Sequence, residues 1–280
     1  MARTDAVIAD PPLALARPAS SPIRTLLWGF ARIFSILVVI ALWEGLARSG
    51  AFTPFVLPSL SSVIARIWTD AVSGDLFVNM GLTVYRAMVG FFISMVAGIA
   101  IAMAMSRNAL ANWFFDPIIS VGFPMPKIAF LPVVILWLGV YDVSKITIVV
   151  IDAVFPVLAA TLLAIRSVDK ELIWSARNMG ATDRELMWQI VLPAALPQIL
   201  TGLQVALPIS MIVAVVAEML MGGYGLGGAM MTASRFADSR GVFAGIVEIA
   251  IVGYVLIKLM ALIRRRLLIW HQEANEPTTA

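Results

Sequence analysis

The chain has 280 residues, 61% of them hydrophobic and 13% charged, with a formal net charge of +3 and a mean hydropathy of +0.94. Soluble proteins carry about 25% charged residues; here the deficit recurs in several apolar stretches of membrane-spanning length, which excludes a soluble enzyme on a single tether. With no cysteine and a lone histidine, His271, disulfides, thiolate metal centres and most hydrolytic or metal chemistry are also excluded, so no catalytic residue, metal site or cofactor is expected.

Residues 1–25 are polar and proline-bearing and are expected to form a disordered tail. The first apolar run, Leu26 to Ala47, lacks a small-residue cleavage site and reads as a retained span. Five more spans are expected at about Leu82–Met105, Pro117–Val140, Ile146–Ile165, Ile199–Met221 and Val242–Ile263, giving an all-α membrane protein of about six transmembrane helices within residues 26–266. Residues 267–280 form a second tail. Between the first two spans, Ser59 to Ser62 precede Val63, Ile64, Ile67 and Trp68, a pattern for a serine-capped interfacial helix with Arg66 and Asp70 on its polar side.

Three ionisable residues fall inside spans and are candidates for a translocation pathway: Lys127, Asp152 and Glu218. Lys127 follows Pro124 and Pro126, whose missing donors forbid one regular helix there, and a cation beside a new half-helix would suit a small anion. The competing readings pair Lys127 with Asp116 or Asp152, or let it reach the membrane surface. Asp152 and Glu218 serve either a gate or structural pairing, and structure is favoured.

The loop from 166 to 198 is expected to hold two short helices around a glycine break. Asp169 would cap the first, which carries Leu172, Ile173 and Ala176 on one face; Gly180 stops it; Thr182 and Glu185 form a capping box for the second; and Pro193 ends it. Leu186, Met187 and Ile190 would either enter a groove on a soluble partner or lie on the bundle itself. The glycine-rich run Gly222 to Gly228 fits a dinucleotide fingerprint, but no βαβ unit surrounds it, so it reads as a flexible or tightly turned loop.

With both termini in the cytoplasm, 13 of the 20 lysines and arginines fall inside, among them Arg166, Lys170, Arg177, Arg184 and the Arg264–Arg266 cluster. That cluster follows a span directly, so it reads as a flank near anionic headgroups and no nucleic-acid partner is expected.

The run Gly180-Ala181, then residues to Gln189, then Ile190-Val191-Leu192-Pro193 resembles the EAA loop of binding-protein-dependent ABC importer permeases: glycine, nine residues, isoleucine, any residue, leucine, proline. Asp116-Pro117, Leu136 to Gly139, Ser144 to Ile146, Ala194 to Leu203 and Ala217 to Leu220 resemble the nitrate, sulfonate and taurine branch. One departure is Trp174-Ser175-Ala176 where the family usually has Glu-Ala-Ala.

The resemblance implies a type I ABC importer permease fold in a bacterial inner membrane. It further implies cytoplasmic ATP-binding subunits, an extracytoplasmic solute-binding protein and a second permease copy. Ala176, Arg177, Gly180, Ala181, Asp183, Ile190, Leu192 and Pro193 would lie in the coupling helix. The chain carries no P-loop, so ATP hydrolysis belongs to a partner. The implied function is translocation of a small solute, an anion such as a sulfonate, taurine or nitrate. The alternative is a proton-coupled secondary transporter relaying through Asp152 and Glu218.

Overall fold

The computed structural model describes residues 22–269, with side chains from residue 34 onward. The expected tails lie mostly outside the described residues, as do Trp270 and His271. In chain order the elements are α1 (Pro22–Arg48), α2 (Leu60–Ser73), α3 (Asp75–Arg107), α4 (Ala109–Gly122), a 3-10 turn (Lys127–Phe130) leading into α5 (Leu131–Leu138), and α6 (Asp142–Arg166). Then come α7 (Lys170–Asn178), the short α8 (Asp183–Glu185), a π-helical turn (Leu186–Val191), α9 (Leu192–Met221), α10 (Leu226–Arg235) and α11 (Ser239–Leu267).

Local signals set several of these limits. Ser59 caps α2 by accepting from the Ser62 amide, as its position before the apolar run requires. Asp75 in the first turn of α3 and Arg107 in its last turn complement the helix dipole at both ends. At 33 residues α3 is about 50 Å long, enough to cross a hydrocarbon core of about 30 Å and reach both interfaces.

Helices α3, α6 and α9 form the centre. Lipid supplies no hydrophobic drive between helices, so close backbone approach through small residues must hold them together. Gly90, Ser94, Gly98 and Ala102 repeat every four residues along one buried face of α3. A Cβ on Gly98 would stand 2.8 Å from Cγ1 of Val157, and one on Gly90 would collide with Val149, so both glycines are required where α6 crosses. Ser94 donates to the carbonyls of Gly90 at 2.8 Å and Val150 at 3.2 Å, adding a polar tie at the same crossing.

Among the described residues four helices are long and apolar enough to cross a membrane: Asp75–Arg107, Asp142–Arg166, Asp183–Met221 and Ser239–Leu267. α1, of 27 residues, covers the stretch Leu26 to Ala47 where the first span was expected, but it is not among these four. Where one span was expected at Pro117–Val140, the chain forms two helices bent by 95°, Ala109–Gly122 and Lys127–Leu138. Pro124 and Pro126 cause this, since neither can donate to a helical ladder.

Two expectations for the 166–198 segment are corrected. Asp169 occupies the cap position of α7, but its side chain makes no capping bond; only its carbonyl accepts, from the Ile173 amide. Pro193 does not end a helix. The π-helical turn before it widens the ladder, Pro193 sits in the first turn of α9, and Asp183–Met221 runs on as one helix of 39 residues.

Candidate functional site

Three polar regions punctuate this apolar bundle, one at each end and one between. At the end where α6 and α9 meet α7, Gly180 turns the chain with φ +86, in open space. A side chain there would be strained by conformation and not by crowding. Thr182 accepts from the Glu185 amide at 3.3 Å, while the Glu185 carboxylate accepts from the Thr182 amide at 2.9 Å, completing the capping box. Arg177 and Asp183 face each other across the corner at 3.7 Å, both exposed.

The apolar residues of this segment divide between bundle and solvent. Ala176, Leu186, Met187 and Val191 are buried in the bundle core, with Ile173, Ala181, Ile190 and Leu192 packed against them. Leu172, Trp174, Met179 and Trp188 are exposed, Met179 by 79%. Of the two readings open for Leu186, Met187 and Ile190, the structure shows the second: all three lie along the π-helical turn and pack on the bundle itself. Pro193 is exposed and lies just beyond that turn.

In the bent pair, Lys127 is 10% exposed in its side chain. Its Nζ donates to the Phe123 carbonyl at 2.7 Å, so the cation caps the carbonyl end of α4, where the helix dipole is negative. It also stands 3.6 Å from the Asp152 carboxylate and 4.8 Å from the Phe155 ring centroid. Lys127 also lines a cavity of about 490 Å³ whose other walls, including Ile118, Val121, Met125 and Phe130, are apolar. One cation in an apolar hollow is suited to a small organic anion, which would have to compete with Asp152 for it.

At the far end, Glu218 is 0% exposed and fully engaged. It accepts from Arg86 at 2.6 Å, from Thr83 at 2.8 Å and from the Gly227 amide at 3.1 Å. Arg86 also binds Asp142 at 2.7 Å and the Tyr224 carbonyl at 2.7 Å. Lys145 donates to the Gly222 carbonyl at 2.9 Å, and Asn79 and Thr83 accept from the Gly225 and Leu226 amides, each at 2.8 Å. The glycine-rich loop is thus turned and tied at five points.

The count of charges by membrane side puts Arg86 and Lys145 among those beyond the cytoplasmic face and says nothing of their burial; both are buried. An available signal was the stripe Asn79, Thr83, Arg86, polar residues at helical spacing on one face of an apolar helix. A second clamp joins α2 to the start of α11: Arg66 binds Asp70 at 2.9 Å and also binds Asp238. Burial opposes charge on Asp238, but hydrogen bonds from the Gly241 amide and from Arg66 outweigh it and hold this carboxyl below its ordinary range.

Residues 94–269 match the family described as binding-protein-dependent transport system inner membrane component. The chain is 30% identical over 248 residues to the taurine transport system permease protein TauC of Escherichia coli (strain K12), covering 87% of this chain and 90% of that one. It is 33% identical over 233 residues to the putative aliphatic sulfonates transport permease protein SsuC of Bacillus subtilis (strain 168), covering 83% and 84%. In three dimensions it resembles a chain from a crystal structure of an amino acid ABC transporter, with TM-score 0.58, 18% identity, and 71% of this chain and 96% of that one covered. A chain of the MetNI methionine ABC transporter in an inward-facing conformation matches with TM-score 0.54 at 17% identity, covering 65% and 94%. None of these likenesses favours a proton-coupled carrier built on Asp152 and Glu218.

Proposed function

The chain belongs to the family of binding-protein-dependent transport system inner membrane components, and from that premise we propose how its residues couple and what they carry. It is a multi-pass inner-membrane permease subunit of an ABC importer, with the type I permease fold, and it is not itself an enzyme. Importers of this family act with ATP-binding subunits and a solute-binding protein.

In the proposed reading, both termini are cytoplasmic, a second permease copy completes the passage, and residues 26–266 form the transmembrane part. The 166–198 segment receives the ATP-binding subunit. The observation that carries this is mechanical. The Gly180 corner and the Thr182–Glu185 box start a helix of 39 residues, about 58 Å long, whose last turn holds Glu218 beside the tied outer loop. A push on that corner therefore reaches the opposite face of the bundle through one element. Exposed Trp174, Met179 and Trp188 supply the apolar contacts, while Arg177, Gly180, Ala181, Asp183 and Pro193 shape the turn and its exit. Buried Ala176, Ile190 and Leu192 fix the segment to the bundle, so that force on its outside moves the spans.

The proposed solute is a small organic anion of the sulfonate class. The taurine and sulfonate permeases among its relatives support this, as does the apolar cavity holding Lys127. Reconstituted transporter tests both parts together: ATP-dependent uptake of a sulfonate is expected in the wild type, and Gly180→Val should abolish it while leaving the assembly intact. Normal uptake by a normally assembled Gly180→Val would overturn the coupling assignment.

A further inference from the structure

Residues 123–126 break the span between α4 and the 3-10 turn, and three contacts with α6 fix their depth. Asn112, in the first turn of α4, accepts from Arg166 in the last turn of α6 at 2.9 Å. A Cβ on Gly122 would stand 2.6 Å from the Phe155 ring, and Lys127 stands 3.6 Å from Asp152. α4 therefore climbs beside α6 from its end to its middle, since Asp152 and Phe155 flank the centre of that 25-residue helix. The break lies at mid-span, yet Phe123 is 53% and Met125 37% exposed, and Pro124 and Pro126 are exposed beside them. Irregular backbone at membrane depth occurs under protein or along a cavity, not against lipid. This face accordingly borders the cavity in which Lys127 is the ionisable lining residue.

Little holds the two halves of the span at their 95° bend. The Phe123 amide donates back to Ile119 and the Ala129 amide to Pro126, so neither bond crosses the break. Among the described residues, the hydrogen bond that does cross it is the one from Lys127 Nζ to the Phe123 carbonyl. The same ammonium faces Asp152 and the Phe155 ring. One side chain thus ties the end of α4 to the start of the 3-10 turn, and both to α6.

An anion in this cavity would find its partner in that ammonium. Sharing it with Asp152 would leave a net negative charge in apolar surroundings, which desolvation disfavours, so the anion and Asp152 exclude one another. A ligand shifts a conformational equilibrium toward the state that it binds better, and an anion binds better when the ammonium has turned from its tether. We propose that Lys127 is a tether released by the solute: with the cavity empty it holds α4 and α5 at their bend, and an organic anion draws its ammonium from Phe123 and Asp152 and frees the break to move. This rests on the anionic-solute reading above and adds to it what solute binding does to the span.

With no native cysteine in the chain, spin labels on Leu110→Cys in α4 and Leu136→Cys in α5, positions 70% and 82% exposed, report the bend through their separation. Pulsed electron resonance would be measured on the full chain assembled with its ATP-binding subunits, the labelled chain diluted with unlabelled chain. Ethanesulfonate is expected to shift the wild-type distance distribution, and ethylamine to leave it in place. Lys127→Met should show the shifted distribution without solute and respond no further, while Asp152→Asn should shift at severalfold lower ethanesulfonate concentration than the wild type. Lys127→Met keeping the wild-type distribution, or ethanesulfonate leaving the wild type unmoved, would overturn the tether. Should Lys127→Met fail to assemble, the titrations of wild type and Asp152→Asn decide, and equal midpoints would overturn it. Ethanesulfonate uptake without a shift sinks the tether and spares the solute reading; a shift with ethanesulfonate in a transporter that takes up no sulfonate does the reverse.

Discussion

Glu218 and Arg86, 132 residues apart in sequence, meet at 2.6 Å in the interior of the bundle, where the carboxylate is wholly shielded from solvent. The pair joins α3 to the last turn of α9 and, through Tyr224 and Gly227, fixes the loop between α9 and α10. Its Coulomb gain is largely offset by desolvation, so its removal as a unit and its disruption have different consequences.

Breaking it from one side should therefore be worse than replacing it. Arg86→Met strands a buried carboxylate and should destabilise the protein by about 3–5 kcal/mol. Adding Glu218→Leu should recover a substantial part of that loss. Thermal unfolding of the purified single and double variants in detergent measures the difference; equal melting points for Arg86→Met and the double variant would contradict the pairing as the source of the effect.

The Gly180 corner carries a local conformational requirement. Valine at φ +86 costs about 1–2 kcal/mol from backbone strain, and the site has room for its side chain. Assembly should survive Gly180→Val, while ATP hydrolysis and uptake become uncoupled. The ratio of solute molecules moved to ATP hydrolysed, compared between wild type and variant, checks this; an unchanged ratio would contradict it.

Lys127 tests the solute reading. Lys127→Met removes the cation from the apolar cavity but also frees Asp152 and uncaps the Phe123 carbonyl. If Lys127 contacts the solute, the KM for sulfonate uptake should rise severalfold, and Asp152→Asn, which removes the competing carboxylate, should not raise it. Unchanged KM and uptake rate in Lys127→Met would retire this residue as a solute ligand.

The α2–α11 clamp has a pH signature. The folded-state pKa of Asp238 lies below the ordinary aspartate value of about 3.9, so its contribution to stability is present in full above that value and is lost as pH falls through the folded pKa. Asp238→Asn should accordingly be less stable than wild type near neutrality, with the two melting curves converging in acid below about pH 4. A gap that persists undiminished at pH 3 would show that the ion pair is not its cause.

What could be read in advance was whatever neighbouring residues decide among themselves. The Ser59 cap, the Thr182–Glu185 box, the Gly180 turn and the break at Pro124 and Pro126 are all local bargains between side chain and backbone, and each appears where its residues stand. Pro193 misled because a proline stops a regular α-helix but not one that widens into a π-helical turn just before it. Arg86 and Lys145 look from their positions like charges flanking apolar runs; only the return of the 222–228 loop over α3 and α6 buries them.

The central claim, that the Gly180 corner is where the ATP-binding subunit takes hold, can be addressed through the absence of native cysteine. Single cysteines would replace Met179 beside the corner and Phe236 at the opposite end, positions that are 79% and 80% exposed. A short bifunctional cross-linker is then applied to the assembled transporter in membranes. Met179→Cys should yield a covalent product with the ATP-binding subunit and Phe236→Cys none; a fully assembled complex in which Met179→Cys gives no such product, or no more than Phe236→Cys, would contradict the claim.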